Sequence, residues 1–428
     1  MRKRLECYFD RLWPICRSVA GPGFRESLKI LSEIVPFGRL RFASGQKVLD
    51  WTVPPEWSAK EAYFIGPNGK RYADFSKNNL HLLNFSSPFK GRMRLEELKK
   101  HLYTLPAQPK AIPYLTSYYK RRWGFCLTHE DFLRLPEGEY EVRIDTRIHK
   151  GFLEIGEAVL PGRTRNEIFF SSYLCHPSLA NNELSGPLAL AFLYEKIAAL
   201  PHRRFTYRFA VMPETIGAVS YLSRRGGILK KRMSAGYQIT CVGDPGMFTY
   251  KRSRRGNSLA DRMALEILGR LGRYKDLKFD PSTGSDERQY CSPGYNLPVG
   301  SLMRTMYGHY PQYHTSLDNK EFIDFGALQA SVEAYFAIVK KLESREVLKN
   351  TVRYGEPQLG KRGLYPTLGS QKSRNDKAAV MLWVLNLADG TRTLEEIAED
   401  SCQPLPKIVS AVRDLEKARL IEKSKGAT

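Results

Sequence analysis

The spacing of apolar positions changes three times along the chain. Residues 5–36 have helical periodicity on either side of Gly21-Pro22-Gly23, with Leu28, Leu31 and Ile34 on one face of the second stretch. From residue 44 to 125 the period shortens. Trp51, Val53, Trp57, Tyr63, Tyr72, Phe75 and Phe85 punctuate β-like runs, with turn signals at Pro54-Pro55, Pro67-Asn68-Gly69 and Ser86-Ser87-Pro88. Residues 140–145 and 152–160 alternate apolar and polar positions cleanly, as antiparallel strands with one wet face do. Strand-like and helix-like runs then alternate to about residue 345, the pattern of an α/β sheet. Residues 350–376 are rich in Gly and Pro and read as a linker. After them, residues 378–386 predict a helix closed by Asp389-Gly390. Thr393 with Glu396 predicts a capping box and residues 405–420 a third helix, followed by Ile421-Glu422-Lys423. That order is a winged-helix pattern.

A chain of 428 residues, 42% hydrophobic and 11% aromatic, has room for two or three domains and a substantial core. The basic N-terminal residues are not followed by the apolar core of a signal peptide, and no run approaches the roughly 20 apolar residues of a membrane helix. The seven cysteines are scattered and include no Cys-x-x-Cys pair, which fits a reducing, cytoplasmic setting and argues against a disulfide scaffold or a thiolate zinc site. The net charge of +22 favours polyanions. Basic runs at His202-Arg203-Arg204, Arg224-Arg225, Lys230-Lys231-Arg232 and Lys251-Arg252-Ser253-Arg254-Arg255 fall within one stretch, and such runs are most often solvated surface.

Four segments carry the candidate chemistry. The apolar run Glu167-Ile168-Phe169-Phe170 leads through Cys175-His176-Pro177 and a polar Asn181-Asn182-Glu183 turn into Ser185-Gly186 and a helix. This sets donor atoms at the carboxyl edge of a sheet, where ligands gather, and small residues let the helix start close by. A second strand ends at Met212-Pro213-Glu214-Thr215, and a third apolar run ends at Asp244. A polar, aromatic loop carries Tyr310, Tyr313, His314 and Asp318. Taken singly, each has a plainer reading: a capping turn, a turn aspartate, a structural histidine.

The order His, acidic turn, strand-end Glu, strand-end Asp, late His resembles the zinc exopeptidases typified by bacterial leucyl aminopeptidase, over roughly residues 130–345. Longer motifs are similar to a bacterial family of aminopeptidase-like proteins of unknown function. These are Cys-His-Pro-Ser-x-Ala-Asn at 175–181, Gly-Ser-Asp-Glu-Arg-Gln-Tyr at 284–290, Tyr-His-Thr-Ser-x-Asp at 313–318, and the stretch from Ser44 to Trp57. The resemblance implies an α/β fold: a zinc-exopeptidase-like mixed sheet flanked by helices, a small inserted β-rich domain and a C-terminal winged helix. The expected ranges are 1–43 for N-terminal helices of the peptidase-like domain, 44–128 for the insert and 129–348 for the catalytic part. A linker at 349–376 and the winged helix at 377–428 follow.

By motif match, His176, Asp244 and His314 are metal ligands and Glu214 is the general base. Ser285, Asp286, Glu287 and Tyr290 line the substrate side, while Arg304 and Tyr310 bind a substrate carboxylate or stabilise an oxyanion. Two positions depart from the pattern. The bridging Asp falls on Asn182, with Glu183 beside it, and the second Glu of Glu-Glu-x-Gly falls on Thr215. A neutral amide bridges two dications poorly, so one zinc ion is expected in preference to two. Glu183 swings in as a ligand, or the site is poor in metal.

The expected function is a metal-dependent hydrolase of the aminopeptidase type, acting on a peptide or on an amide-bearing small molecule. The family also carries a link to surface-polysaccharide synthesis. A homo-oligomer is compatible with the sequence. The rival is a catalytically silent relative that binds a small molecule and uses its winged helix for protein interaction or regulation. A third reading, a transcriptional regulator, meets an obstacle in charge: from Asp376 to Lys425 there are eight Lys or Arg against nine Asp or Glu. Phosphate contacts carry most non-specific affinity for DNA, and this balance offers little neutralisation. The winged-helix module expressed alone is therefore expected to bind a labelled duplex no better than a neutral control protein at two salt concentrations. Tight, sequence-selective binding would contradict this and restore the regulator reading.

Overall fold

The computed structural model describes residues 1–364 and 376–424, so part of the expected linker, residues 365–375, lies outside the described residues. The chain divides into two compact units. The first, up to Ile338, is built on an eight-stranded mixed sheet. Its order is Gly38–Ala43, Phe152–Leu160, Thr206–Met212, Glu167–Tyr173, Met233–Ile239, Val299–Met303, Thr249–Lys251 and Lys275–Leu277. The central four strands, from Thr206–Met212 to Val299–Met303, run parallel. Glu167–Tyr173 has parallel neighbours on both sides and is buried at every position, which is why it reads as an apolar run without alternation.

Parallel strands end at one edge, and the register brings the ends together: Tyr173 pairs with Met212, and Ser171 with Gln238. His176, Glu214 and Thr240 follow these ends within a few residues. Between the first strand end and its helix, Ala180–Leu184 forms a single wide turn with π-helical hydrogen bonding, fully buried. Asp318 anchors it by accepting the N–H groups of Asn181 at 2.6 Å and Asn182 at 2.9 Å. The helix Ser185–Ala198 then starts against the sheet. A Cβ on Gly186 would lie 2.4 Å from both Ile239 O and Ser172 Oγ, so only glycine allows this approach.

The two alternating runs expected as antiparallel strands both form, but they part company. Phe152–Leu160 joins the main sheet. Glu139–His149 joins a four-stranded antiparallel sheet with Arg71–Tyr72, Glu56–Ile65 and Phe89–Arg94. That smaller sheet therefore extends past residue 128. Its aromatic centre is Phe64, packed on Tyr72, Phe125 and Tyr140.

Across the main sheet, an ion cluster ties the strands near their outer surface. Arg208 donates to Glu167 and Glu157, and Glu157 also accepts from Tyr221 and Arg225. Burial alone would raise the Glu157 carboxyl, but these donors outweigh it and hold it below the usual range.

The second unit comprises residues from Val339 onward together with Pro161–Asn166 and His202–Phe205. It contains helices Asp376–Leu387, Leu394–Asp400 and Leu405–Lys417, and strand Ile421–Ser424 antiparallel to Val347–Asn350. Val384, Ile397, Ile408 and Leu415 form its core. The capping box reads as the sequence predicts: Thr393 Oγ1 accepts from Glu396 N–H and the Glu396 carboxylate accepts from Thr393 N–H. No helix among the described residues is long and apolar enough to cross a membrane.

Gly186→Ala is expected to lower the stability of the first unit by about 2 kcal/mol, because the added carbon meets backbone that has no room to retreat. Gly227→Ala, within the helix Ile216–Arg232 and with open space at its Cβ, is the control and is expected to be neutral or slightly stabilising. Urea denaturation midpoints decide, and equal effects of the two substitutions would contradict the packing argument.

Candidate active site

The loop after strand Glu167–Tyr173 is organised around one carboxylate. Glu183 Oε1 accepts the backbone N–H groups of Cys175 and, at 2.9 Å, His176. Its Oε2 lies 2.6 Å from His176 Nδ1. Three donors thus hold Glu183 beneath the imidazole, and Nε2 is left facing Glu214, whose Oε2 is 3.6 Å away. Arg17, fully buried, completes the support: its Nε donates to the His176 carbonyl at 3.0 Å and one terminal nitrogen donates to Leu12 O. Burial works against a charged His176, but Cys175 and Glu183 outweigh it and the net shift is upward. Burial pushes the Cys175 thiol itself up to about 11.

Glu214 ends the neighbouring strand. Ser285 Oγ donates to its Oε1 at 2.6 Å, and its backbone N–H points at Cys175 Sγ. Burial raises its carboxyl pKa, with His176 and Ser285 opposing. Thr215 follows with φ 61°, a left-handed conformation that a β-branched residue rarely adopts. Its N–H donates to Asp286 Oδ1 at 2.6 Å, while Asp286 Oδ2 is buried with no hydrogen-bond partner. Burial, and then the proximity of Glu214, push Asp286 well above the usual carboxylate range.

His314 comes from the late loop, also in the left-handed region at φ 54°. Its ring centroid is 5.3 Å from that of His176. Its Nε2 is buried and unpartnered, and burial followed by the neighbouring His176 pushes its pKa down to about 3, so it is a neutral imidazole. Tyr313 stacks on its other side, with centroids 3.9 Å apart.

His176, Glu214, Thr215 and His314 line one cavity of about 440 Å³, within the range of small-molecule sites. The opposite wall was not foreseen. Tyr114, Tyr118, Tyr119 and Trp51 come from the region read as a β-rich insert. The Tyr114 ring lies 4.8 Å from His176 and 5.2 Å from His314. Backbone pairing holds this wall in place: Tyr114 N–H donates to His314 O, and Ile112 and Ser316 exchange two hydrogen bonds. The available signal was three tyrosines within residues 114–119.

Other expected site residues have different employment. Asp244 is buried, but both oxygens are taken, by Asn181 Nδ2, Gly246 N–H, and the N–H and hydroxyl of Thr305. The expectation of a ligand there is corrected: the carboxylate staples its own loop. Glu183 lies with Cys175 and His176, ligand atoms all within 4.8 Å of one another, while it accepts the N–H groups of residues 175 and 176. Asn182 Nδ2 donates to Tyr173 OH, leaving Oδ1 buried and unpartnered. Glu287 pairs with buried Lys251 at 3.0 Å and with Tyr307 OH, away from the cavity lining. Tyr290 packs on Phe169 in the core and directs its hydroxyl to Met212 Sδ. Arg304 donates to Gly246 O, Ala327 O and Ser331 Oγ, and Tyr310 packs on Phe322 with its hydroxyl near Cys241 Sγ. Neither faces the histidines: both brace the loops behind them.

Structural and catalytic zinc sites use neutral imidazoles and carboxylates, with bonds near 2.0–2.2 Å. The two imidazoles, with ring centroids 5.3 Å apart and a buried, unpartnered Nε2 on His314, are donors of this kind, and Cys175, His176 and Glu183 have ligand atoms all within 4.8 Å of one another. A second ion would need carboxylates where this chain has Asn182 and Thr215.

Comparisons with known proteins agree with this architecture. A family model described as a domain of unknown function, DUF4910, matches residues 7–345, and a winged helix-turn-helix model matches residues 346–423. A protein of Clostridium acetobutylicum, named for polysaccharide biosynthesis and for an aminopeptidase-like domain, is 40% identical over 414 residues, covering 96% of this chain and 94% of its own. A crystal structure of a candidate peptidase from Clostridium acetobutylicum is 39% identical. It covers 99% of this chain and 96% of that one, with TM-score 0.82. The zinc aminopeptidase BSAP of Bacillus subtilis shares the fold at 12% identity, covering 79% of this chain and 94% of its own, with TM-score 0.56. The chain therefore belongs to the DUF4910 family of aminopeptidase-like proteins, with a C-terminal winged helix.

Proposed function

We propose that this protein is a metal-dependent hydrolase of the aminopeptidase type that cleaves an amide, on a peptide or on a modified sugar. The observation that carries the reading is the convergence of His176, His314 and Glu214 on one cavity, with His314 Nε2 buried and unpartnered. A zinc-like ion held by His176 and His314 would polarise the scissile carbonyl and make a water molecule more acidic. Glu214 takes the proton from the attacking water and returns it to the departing nitrogen. Burial raises its pKa, the direction that strengthens it as a proton acceptor, and Ser285 Oγ donates to it. Glu183 holds the His176 ring so that Nδ1 is engaged and Nε2 faces the cavity. The name of the Clostridium acetobutylicum relative supports a place in polysaccharide biosynthesis. We assign the winged helix to protein contacts, on its balance of charge.

One observation favours the rival reading of a silent binding protein. Asn182 and Thr215 leave the site with fewer anionic donors than a two-metal peptidase needs.

Glu214→Gln preserves the side-chain shape and a partner for Ser285. It is expected to lower amide turnover by about 10²–10⁴-fold while metal content stays unchanged. Turnover at the wild-type rate would contradict the assignment of the base. Loss of metal instead would make Glu214 a ligand.

A further inference from the structure

We propose that the cavity recognises a neutral acylamino group carried on a sugar-like ring, and not the free α-ammonium end of a peptide. This rests on the hydrolase reading above and narrows its substrate.

Charge is the first argument. Among the described residues lining the cavity, Glu214 is the one carboxylate, and there is no Lys or Arg. Glu214 is already engaged by Ser285 Oγ at 2.6 Å and faces His176 Nε2 at 3.6 Å. An ammonium group brought into this space gives up its hydration and finds no carboxylate of its own, which is unfavourable. A neutral amide incurs no such cost.

The aromatic wall is the second argument, and it is independent of the first. Trp51 and Tyr119 stand 38% and 61% exposed, with ring centroids 6.1 Å apart at 66°. Large aromatic rings left half in water beside a cavity are amphipathic surfaces, and the C–H face of a pyranose ring is a suitable partner. Deeper in, the Tyr114 and Tyr118 hydroxyls share a hydrogen bond at 2.8 Å. Burial keeps both phenols neutral, so they can donate to and accept from sugar hydroxyls or an acyl oxygen. Because Tyr114 N–H is bonded to His314 O, this wall and the histidine are set in one frame. A ring held at Trp51 and Tyr119 can therefore direct its acylamino arm toward Glu214.

The test is a titration of the full-length protein with three probes by calorimetry: N-acetyl-D-glucosamine, L-leucinamide and N-acetyl-L-leucinamide. The acetylated sugar is expected to bind at millimolar concentration, and L-leucinamide is expected to bind at least about tenfold more weakly. Trp51→Ala and Tyr119→Ala are each expected to weaken sugar binding about tenfold, while Trp51→Phe restores most of it and circular dichroism stays unchanged. Absence of sugar binding, or L-leucinamide binding as tightly, overturns the proposal. So does binding that ignores both aromatic substitutions, or binding of N-acetyl-L-leucinamide at least as tight as that of the sugar. The hydrolase reading is separable: sugar binding without amine release sinks hydrolysis and leaves the recognition intact. Cleavage of L-leucinamide without sugar binding does the reverse.

Discussion

A single buried carboxylate sets the geometry of the site. Glu183 accepts the backbone N–H groups of Cys175 and His176 and faces His176 Nδ1. Removing any one donor would leave a buried charge under-satisfied, a strongly unfavourable state, so the loop has one arrangement and not several. That arrangement turns Nε2 toward Glu214 and the cavity. Arg17, reaching in from the N-terminal segment, holds the carbonyl of the same residue and is the nearby positive charge. The wide turn 180–184 exists to bring Glu183 back beneath its own loop, and Asp318 and Gly186 make that turn possible.

Much of this was legible in the sequence because it is local. The apolar run before His176 reads as a buried strand and is one. The small Ser185-Gly186 pair signals a close helix start, and a Cβ at Gly186 would meet Ile239 O and Ser172 Oγ. The capping box at Thr393 and Glu396 depends on residues three apart and is seen directly. What stayed hidden depends on long-range partners. Asp244 sits at a strand edge as a ligand would, yet Thr305 and Asn181 consume its oxygens, and nothing near it in sequence announces either. Glu183 stands beside His176 as the sequence suggests, but its acceptance of the N–H groups of that same loop is visible only in three dimensions. The aromatic wall was hidden because Tyr114 and His314, far apart in sequence, meet only in the fold, through a backbone hydrogen bond and an edge-on ring contact.

The neutral residues at 182 and 215 shape the electrostatics more than any residue that is present. With carboxylates at both positions the site could compensate two dications. With an amide and a hydroxyl there, Glu214 is the one carboxylate among the described residues lining the cavity. The left-handed backbone at Thr215 and His314 shows that both loops are held against their local preference by surrounding contacts. Asp286 receives the strained Thr215 N–H, and burial, then the proximity of Glu214, push its carboxyl well above the usual range.

The count of bound metal ions tests this most directly. Full-length protein equilibrated with zinc, then dialysed and analysed for its elements, should hold a single ion per chain. His176→Ala and His314→Ala should each lose it, as neither imidazole has a substitute on the cavity wall. Two ions per chain, or an ion retained after both histidines are replaced, would contradict the account.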